Sequence, residues 1–437
     1  MNDRKSTLFN IDLVLMFSVV VLSIIGILFI YSSGVSVSGE LVNREFLKQI
    51  VWAVTGLMLM FVFLLLDYSK LKSVSWIIYS INIALLIITL LFGKVLNGAR
   101  SWLGLGAFGI QASEFAKLST ILFAAFLLTE HFKKRSSLST LLILSAVVFL
   151  PMLLTLVQPD LGTAMVFIPI FIALAFLGGI PYRYIIGFIS ITTLTSTLLL
   201  LYAWFKIQDI HYIAYIRLFS DVKLFRIIAA SLVSLAILGS MGLIFFRNRI
   251  YYWFIFIMVI ILLSYVASFA AAKVFKEYQL MRLIVFLDPG IDPRGAGWNI
   301  NQSITAIGSG GFLGKGFLLG PQSHNNYVPQ QSTDFIFSIV AEELGFLGSA
   351  LIFLAYIFIL LRSIIISFKA QDEFGSLVAF GITAFFFFHF LENVGMAMGI
   401  MPVTGIPLVF LSYGGSSLWT GFISIGILLG INARRLS

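Results

Sequence analysis

The sequence predicts an all-α polytopic membrane protein, a transmembrane helix bundle of about twelve spans with a large loop outside the membrane. Three observations carry that expectation. Hydrophobic residues make up 60% of the chain and charged residues 11%, against roughly 25% charged in a soluble domain. Mean hydropathy is +1.04. The apolar residues gather into runs of about 20, the number an α-helix needs to cross about 30 Å of hydrocarbon. The 437 residues therefore read as one integral bundle, 1–437, and not as several soluble domains. The chain has no cysteine, which excludes disulfides, thiolate metal sites and cysteine nucleophiles.

In chain order the runs fall at 12–31, 49–66, 74–92, 115–130, 138–157, 162–180, 184–205, 226–246, 251–272, 335–361, 376–399 and 413–432. The first, Leu13 to Tyr31, is too long for the apolar region of a signal peptide and has no cleavage-like exit, so it reads as a span. An even number of spans places both termini on one side. That side carries Arg4-Lys5, Lys70, Lys72, Lys133-Lys134-Arg135, Arg247, Arg249 and Arg434-Arg435. By the positive-inside rule it is the cytoplasm, and the loop over 273–334 then faces outward. The net charge of +9 reflects topology and anionic lipid, with no indication of nucleic acid. Further cations fall in the outer loops: Arg44, Lys48, Lys94, Arg100, Lys206, Arg217, Lys223, Lys273, Lys276, Arg282, Arg294 and Lys315. They are solvated loop charges, or they mark a face that handles an anion such as a diphosphate.

Polarity interrupts the apolar runs at a few places. The longest is Gly295 to Glu343, rich in Gly, Asn, Gln and Ser, with Lys315 and Asp334 as charges ahead of Glu342-Glu343. Long loops tend to be functional or disordered, and the spread of Trp298, Ile304, Phe312, Phe317 and Tyr327 through this one argues against disorder. Gly93 to Lys117 contains Arg100 and Trp102 and enters a span with Glu114 and Lys117 three residues apart, on one helical face. Charges there cost at least ~2.5 kcal/mol each, so they pair, face a cavity or serve function. Asp160 in Gln158-Pro159-Asp160-Leu161-Gly162 reads on spacing as a helix cap. Glu342 and Glu343 lie inside a span if it starts at Phe335, and just before one if it starts after them. In Asn393 to Ser417, Pro402, Gly405, Pro407 and Gly414-Gly415 break regular helix, which membrane depth tolerates only when the backbone is buried or lines a cavity.

Common site motifs fail. The glycines at 308–316 lack Walker spacing, with Ser309 and Gly316 at required positions, and Leu313 breaks a dinucleotide fingerprint. His389 and Glu392 lack the second histidine of a zinc protease and read as a buried structural pair. With only four histidines, a divalent cation would be Mg²⁺ or Mn²⁺ on oxygen ligands.

Together these patches resemble the SEDS family (shape, elongation, division and sporulation), polytopic bacterial peptidoglycan glycosyltransferases. The matching stretches are RSWLGLGAFGIQASEFAKL at 100–118, QPDLGTA at 158–164, FLDPGIDPRGAGWNINQSITAIGSGGFLGKGF at 286–317, STDFIFSIVAEELGFLG at 332–348 and NVGMAMGIMPVTGIPLVFLSYGGSSL at 393–418. GKGFLLGPQS and VTGIPL point to the elongation branch, acting in rod shape, over the division branch. The family core has ten spans, so 206–272 reads as an inserted two-helix hairpin. Family members carry a Glu and a His shortly before Thr-Asp-Phe; here Gln330 and Ser332 stand at those places.

The resemblance implies a reaction on the outer face of the bacterial cytoplasmic membrane. The 4-hydroxyl of the GlcNAc of lipid II attacks C1 of a glycan linked to undecaprenyl diphosphate, giving a β-1,4 bond with inversion. A sugar hydroxyl needs a general base, worth about 10²–10⁴-fold, and the leaving diphosphate needs cations or a divalent metal. Asp334 is the expected catalytic base. The matching stretches supply the expected substrate-binding residues: Arg100, Trp102, Glu114, Lys117, Asp160, Gln302, Lys315, Glu342, Glu343 and Ser412. The implied partners are a class B penicillin-binding protein (a transpeptidase) and other membrane proteins of the elongation complex. A lipid II flippase or transporter, and a non-catalytic scaffold of that complex, are the alternatives.

Overall fold

The computed structural model describes residues 11–96, 99–104, 109–131, 137–207, 213–275, 277–293 and 295–435. Arg4, Lys5, Lys133, Lys134, Arg135, Lys276 and Arg294 lie outside the described residues, as does 105–108 of the first matching stretch. Two compact units emerge, Met1–Ile180 with Asn299–Ser437, and Pro181–Trp298.

In the first unit, α1 (Leu13–Ser33), α2 (Glu45–Leu65) and α3 (Tyr68–Phe92) cross in succession. Aspartates open two of them: Asp12 accepts from Leu15 N and Asp67 from Ser69 N, satisfying N–H groups left over at a helix start. A three-stranded antiparallel sheet follows, β1 (Lys94–Leu96), β2 (Ala99–Leu103) and β3 (Ile110–Gln111), with Trp102 opposite Lys94 and Gln111. Then come α4 (Ala112–His131) and α5 (Ser137–Val157). Pro151 inside α5 cannot donate to Val147 O, and the Tyr79 hydroxyl of α3 donates there instead at 2.9 Å.

The run at 162–180, expected as a full span, is a short broken helix: α6 (Leu161–Met165) and α7 (Phe167–Leu177). At 1.5 Å per residue it reaches only about 25 Å, less than the apolar thickness. Eleven described helices are long and apolar enough to cross a membrane, with this twelfth segment shorter.

The second unit holds α8 (Tyr182–Ile207), α9 (Ile213–Ser220), α10 (Val222–Phe246), α11 (Arg249–Val274) and α12 (Glu277–Val285), then a 3₁₀ turn at Pro289–Ile291. The helices α10 and α11 form a hairpin through Arg247 and the cap Asn248, which accepts from Ile250 N at 3.0 Å. Tyr202, Tyr215, Phe219, Phe225, Tyr265 and Phe269 pack ring on ring inside this unit. Elsewhere α10 is apolar and exposed, as a lipid-facing helix is.

Nearly half of the loop expected over 273–334 is helical, with α12, α13 (Ala296–Gly310) and α14 (Pro321–His324) inside it. Back in the first unit, α15 (Ile336–Lys369) is broken at Gly345, whose φ of 66° and ψ of −160° leave the helix. The 24 residues from 346 to 369 suffice to cross, about 36 Å. Residues 336–344 are a separate buried half-helix, and Glu342 and Glu343 sit at its end. The glycine-rich segment 311–316 crosses this break. Lys315 N and Gly316 N donate to the carbonyls of Glu342 and Glu343, while Phe346 N and Leu347 N donate back to Gly311 and Phe312. Backbones this close exclude side chains: a Cβ at Gly345 would lie 2.2 Å from Gly314 N. The glycines therefore shape the loop.

The helices α16 (Glu373–Ala397) and α17 (Gly415–Ala433) complete the bundle. Every residue of α17 except Trp419 is buried, and the helix packs most extensively on α2. Gly426 and Gly430, four apart, admit the α2 backbone: a Cβ at Gly426 would meet Met60 O at 2.5 Å.

Candidate catalytic site

Asp334 lies two residues ahead of the half-helix, partly exposed, in a segment whose backbone is tied down residue by residue. Three successive carbonyls accept hydrogen bonds: Ser332 O from Tyr413 N (2.8 Å), Thr333 O from Ser412 Oγ (2.6 Å) and Asp334 O from Asn393 Nδ2 (2.8 Å). Asn393 comes from the end of α16; Ser412 and Tyr413 come from the irregular stretch 398–414. That stretch is buried over 408–412 and its backbone is satisfied there: Asn393 Nδ2 also donates to Ile406 O, Ser412 Oγ accepts from Leu408 N, and the Tyr356 hydroxyl donates to Val409 O. Its Gly405, at φ +77°, passes the Asp334 carboxylate so closely that a Cβ there would lie 3.2 Å from Oδ2. Only glycine combines that backbone with that approach.

Beside this segment the bundle encloses ionisable groups. Lys117 and Glu114 on α4 pair at 2.7 Å, both with no exposed surface. Lys117 Nζ also lies 2.9 Å from His389 Nε2 on α16, and His389 Nδ1 lies 2.9 Å from Pro407 O. A carbonyl only accepts, so Nδ1 carries the proton, and Nε2 accepts from the ammonium. An ammonium has three N–H groups; Glu114 and His389 take two, which leaves one. The Phe385 ring lies 5.2 Å from Nζ. One turn along α16, Glu392 accepts from the Thr404 hydroxyl and lies within electrostatic reach of Asp334.

Asp160 caps α6 through Thr163 N (3.1 Å), as its spacing predicts, and its other oxygen accepts from Gln111 Nε2 at 2.8 Å. It is also within electrostatic reach of Lys117. Gln111 N in turn donates to Ser416 Oγ at the start of α17. The sheet thus hangs over the same end of the bundle. Arg100 is exposed there, its backbone N–H on Gln158 O at 3.1 Å, and Trp102 is half-buried against Gly109.

Ser412 holds the backbone next to Asp334, and Glu392, within electrostatic reach of Asp334, lies one turn from His389, whose partner Lys117 pairs with Glu114 and is within reach of Asp160. Glu342 and Glu343 are placed apart from them, with their oxygens engaged by the loop. Glu342 accepts from Gln322 N (2.7 Å), Ser323 N (3.0 Å) and Ser323 Oγ (2.8 Å). Glu343 accepts from the Ser32 hydroxyl and Leu318 N, with His324 Nε2 at 3.5 Å. Both act as anchors of the loop. Lys315 is exposed beyond them. Gln302 is half-buried on α13, next to Ser303, which bonds Ser338 Oγ and Ala397 O at 2.6 Å each. Among the described residues no three His, Asp or Glu side chains converge as metal ligands.

Sequence reasoning passed over His389, Glu392, Asn393 and Thr404. Testing His389 and Glu392 against zinc-protease spacing concealed the stronger signal, that two ionisable groups one turn apart within a span are costly unless used.

Comparison with known proteins identifies relatives of the chain. A family model described as "Cell cycle protein" (FtsW, RodA, SpoVE) matches residues 13–230 and 227–436. The chain is 45% identical to peptidoglycan glycosyltransferase RodA of Treponema pallidum (strain Nichols), over 98% of each chain. It is 31% identical to peptidoglycan glycosyltransferase MrdB of Escherichia coli (strain K12), over 82% of this chain and 77% of that one. A chain solved in a peptidoglycan synthase complex shares the fold, with a TM-score of 0.67 at 24% identity over 98% of this chain and 99% of the other. The chain belongs to the FtsW, RodA and SpoVE family of cell cycle proteins.

Proposed function

We propose that the chain polymerises lipid-linked peptidoglycan precursor, with Asp334 as the general base. It is a peptidoglycan glycosyltransferase of the RodA type, as its relatives are named. The observation that carries the assignment of Asp334 is its mounting: a partly exposed carboxylate on a backbone held at three successive carbonyls. Rigid placement of a base is what proton removal from a sugar hydroxyl requires.

In this reading the acceptor is lipid II, and Asp334 takes the proton of its GlcNAc 4-hydroxyl. The oxygen bonds to C1 of the donor glycan while the C1–O bond to undecaprenyl diphosphate breaks, and the charge leaves on the diphosphate. Arg100 and Lys315, both exposed, are cations for that anion; Lys117 contributes its remaining N–H, and Glu114 orients it. Mg²⁺ usually takes one or two carboxylates plus substrate phosphates, so Asp334 with the diphosphate would hold a divalent ion, which would neutralise the leaving charge.

The end of the bundle that carries Asp334 would face outward from the cytoplasmic membrane. The opposite end carries Lys70, Lys72, Arg362 and Arg434, the last donating to Leu64 and Leu65 carbonyls, as a cytoplasmic end does. A class B penicillin-binding protein is the proposed partner, since the chain's structural likeness includes a complex that coordinates polymerization and crosslinking.

The test is Asp334→Asn in the purified chain with its transpeptidase partner, scored by glycan strands formed from lipid II. Asparagine keeps the size and loses the base, so the rate should fall about 10²–10⁴-fold with an unchanged melting curve. Strand formation at the wild-type rate would remove Asp334 from the chemistry.

A further inference from the structure

A polar cavity of about 270 Å³ opens between the end of α1, the start of α2 and the segment leading to Asp334. Its lining side chains include the amides of Asn43, Asn326, Gln330 and Gln331, the Ser332 hydroxyl and the Glu45 carboxylate, and none is cationic. A phosphate would find no positive partner there and one negative neighbour. Hydroxyl and acetamido groups would find both donors and acceptors. At roughly 30 Å³ per water the volume corresponds to about nine waters, the scale of one sugar ring and too small for a lipid or a pentapeptide.

The walls are fixed. Ser332 Oγ donates to Glu45 Oε2 at 2.7 Å, and Glu45 N donates to Asn43 Oδ1 at 3.1 Å. Gln331 Nε2 bridges Ser33 O (2.7 Å) and Asn326 Oδ1 (3.0 Å). Asn326 and Gln330 hold left-handed backbones, with φ of 56° and 48°. Such conformations cost free energy and concentrate at functional sites. Ser332 is two residues from Asp334, so the Cα atom of this lining residue and that of Asp334 are at most about 7 Å apart.

We infer that this cavity is a saccharide subsite that takes one neutral N-acetylhexosamine ring next to Asp334, with Glu45 accepting hydrogen bonds from the ring hydroxyls. The inference rests on the glycosyltransferase reading and adds the subsite. The ring belongs to the incoming lipid II or to the growing glycan, which share this chemistry.

The test uses the full chain in detergent with N,N′-diacetylchitobiose as probe, read by saturation-transfer NMR, with melting curves as the check on folding. Wild type and Asp334→Asn should transfer saturation to the acetamido methyls, and inorganic diphosphate should not compete. Glu45→Gln removes the carboxylate, and Val42→Trp adds bulk at an exposed position of the lining; both should abolish the signal while melting as wild type does. A signal unchanged in both variants, or displaced by diphosphate, would overturn the subsite. In strand synthesis with the transpeptidase partner, Glu45→Gln should raise the KM for lipid II about tenfold, as expected for loss of a charge-assisted hydrogen bond. Unchanged strand length in that assay assigns the ring to lipid II; shortened strands assign it to the growing glycan. A fall in kcat at constant KM and strand length would overturn the subsite, because Glu45 would then act only through the backbone of Asp334. A wild-type chain that binds chitobiose but makes no strands would count against the polymerase reading and leave the cavity standing as a sugar site.

Discussion

Removing the charges of Glu114 and Lys117 one at a time and together separates a structural ion pair from a substrate contact. Both groups are fully buried at 2.7 Å. At an effective dielectric of about 20, that distance gives a gross attraction of about 6 kcal/mol, and desolvation of the two ions takes back several kcal/mol. Breaking such a pair from one side leaves a buried charge and costs about 3–5 kcal/mol. Glu114→Gln and Lys117→Met should therefore each lower the melting temperature in detergent markedly. The double variant has no orphan charge, but His389 Nε2 loses its donor, a cost of about 1–3 kcal/mol. It should therefore melt above either single variant and below wild type. Activity should not follow stability. If Lys117 stabilises the leaving diphosphate, the better-folded double variant should still make strands about 10²–10³-fold more slowly, as for loss of one transition-state donor. A double variant that polymerises lipid II at the wild-type rate would refute the contact and leave the pair as architecture.

Two glycine substitutions probe how Asp334 and its loop are held. Gly405→Ala places a methyl 3.2 Å from Asp334 Oδ2 at a φ of +77°, and the backbone alone costs about 1–2 kcal/mol. Melting should fall by that cost, and strand synthesis should drop about tenfold, the loss expected if displacing the carboxylate removes about 1.4 kcal/mol of transition-state stabilisation; an unchanged rate would show that the carboxylate does not depend on this contact. Gly345→Ala forces a Cβ to within 2.2 Å of Gly314 N. The folded yield and melting temperature should both fall, and wild-type stability would mean that the 311–316 crossing yields easily.

Five helix starts are marked in the sequence by an aspartate directly ahead of the first turn. Asp12, Asp67, Asp160, Asp221 and Asp372 each accept a backbone N–H at an N-terminus. The breaks inside runs were not legible. Hydropathy averages over Val166 and Gly345, and the departure at Gly345 is decided by a contact with Gly314, 31 positions earlier in the chain. The small sheet was equally hidden, since strands of 3, 5 and 2 residues carry too few positions for alternation to register.

The candidate site divides along the same physical line. Asp334, Lys117 and Glu114 stand out because a charge among apolar residues is expensive wherever it ends up. Glu45 carries no such signal. An acid in the first turn of a helix looks like a favourable partner of the helix dipole, and only its bond to Ser332, 287 positions away, reveals another use. Glu342 and Glu343 mislead in the opposite sense. Side by side in sequence they suggest a carboxylate pair, but consecutive residues on a helix do not face each other. One therefore turns to 322–323 and the other to Ser32, Leu318 and His324. Two adjacent acids on a helix can each hold a different strand of the same loop, which a shared site could not do. The loop so held carries the chain from α13 round to Gln330 and Ser332, and thereby sets where Asp334 stands.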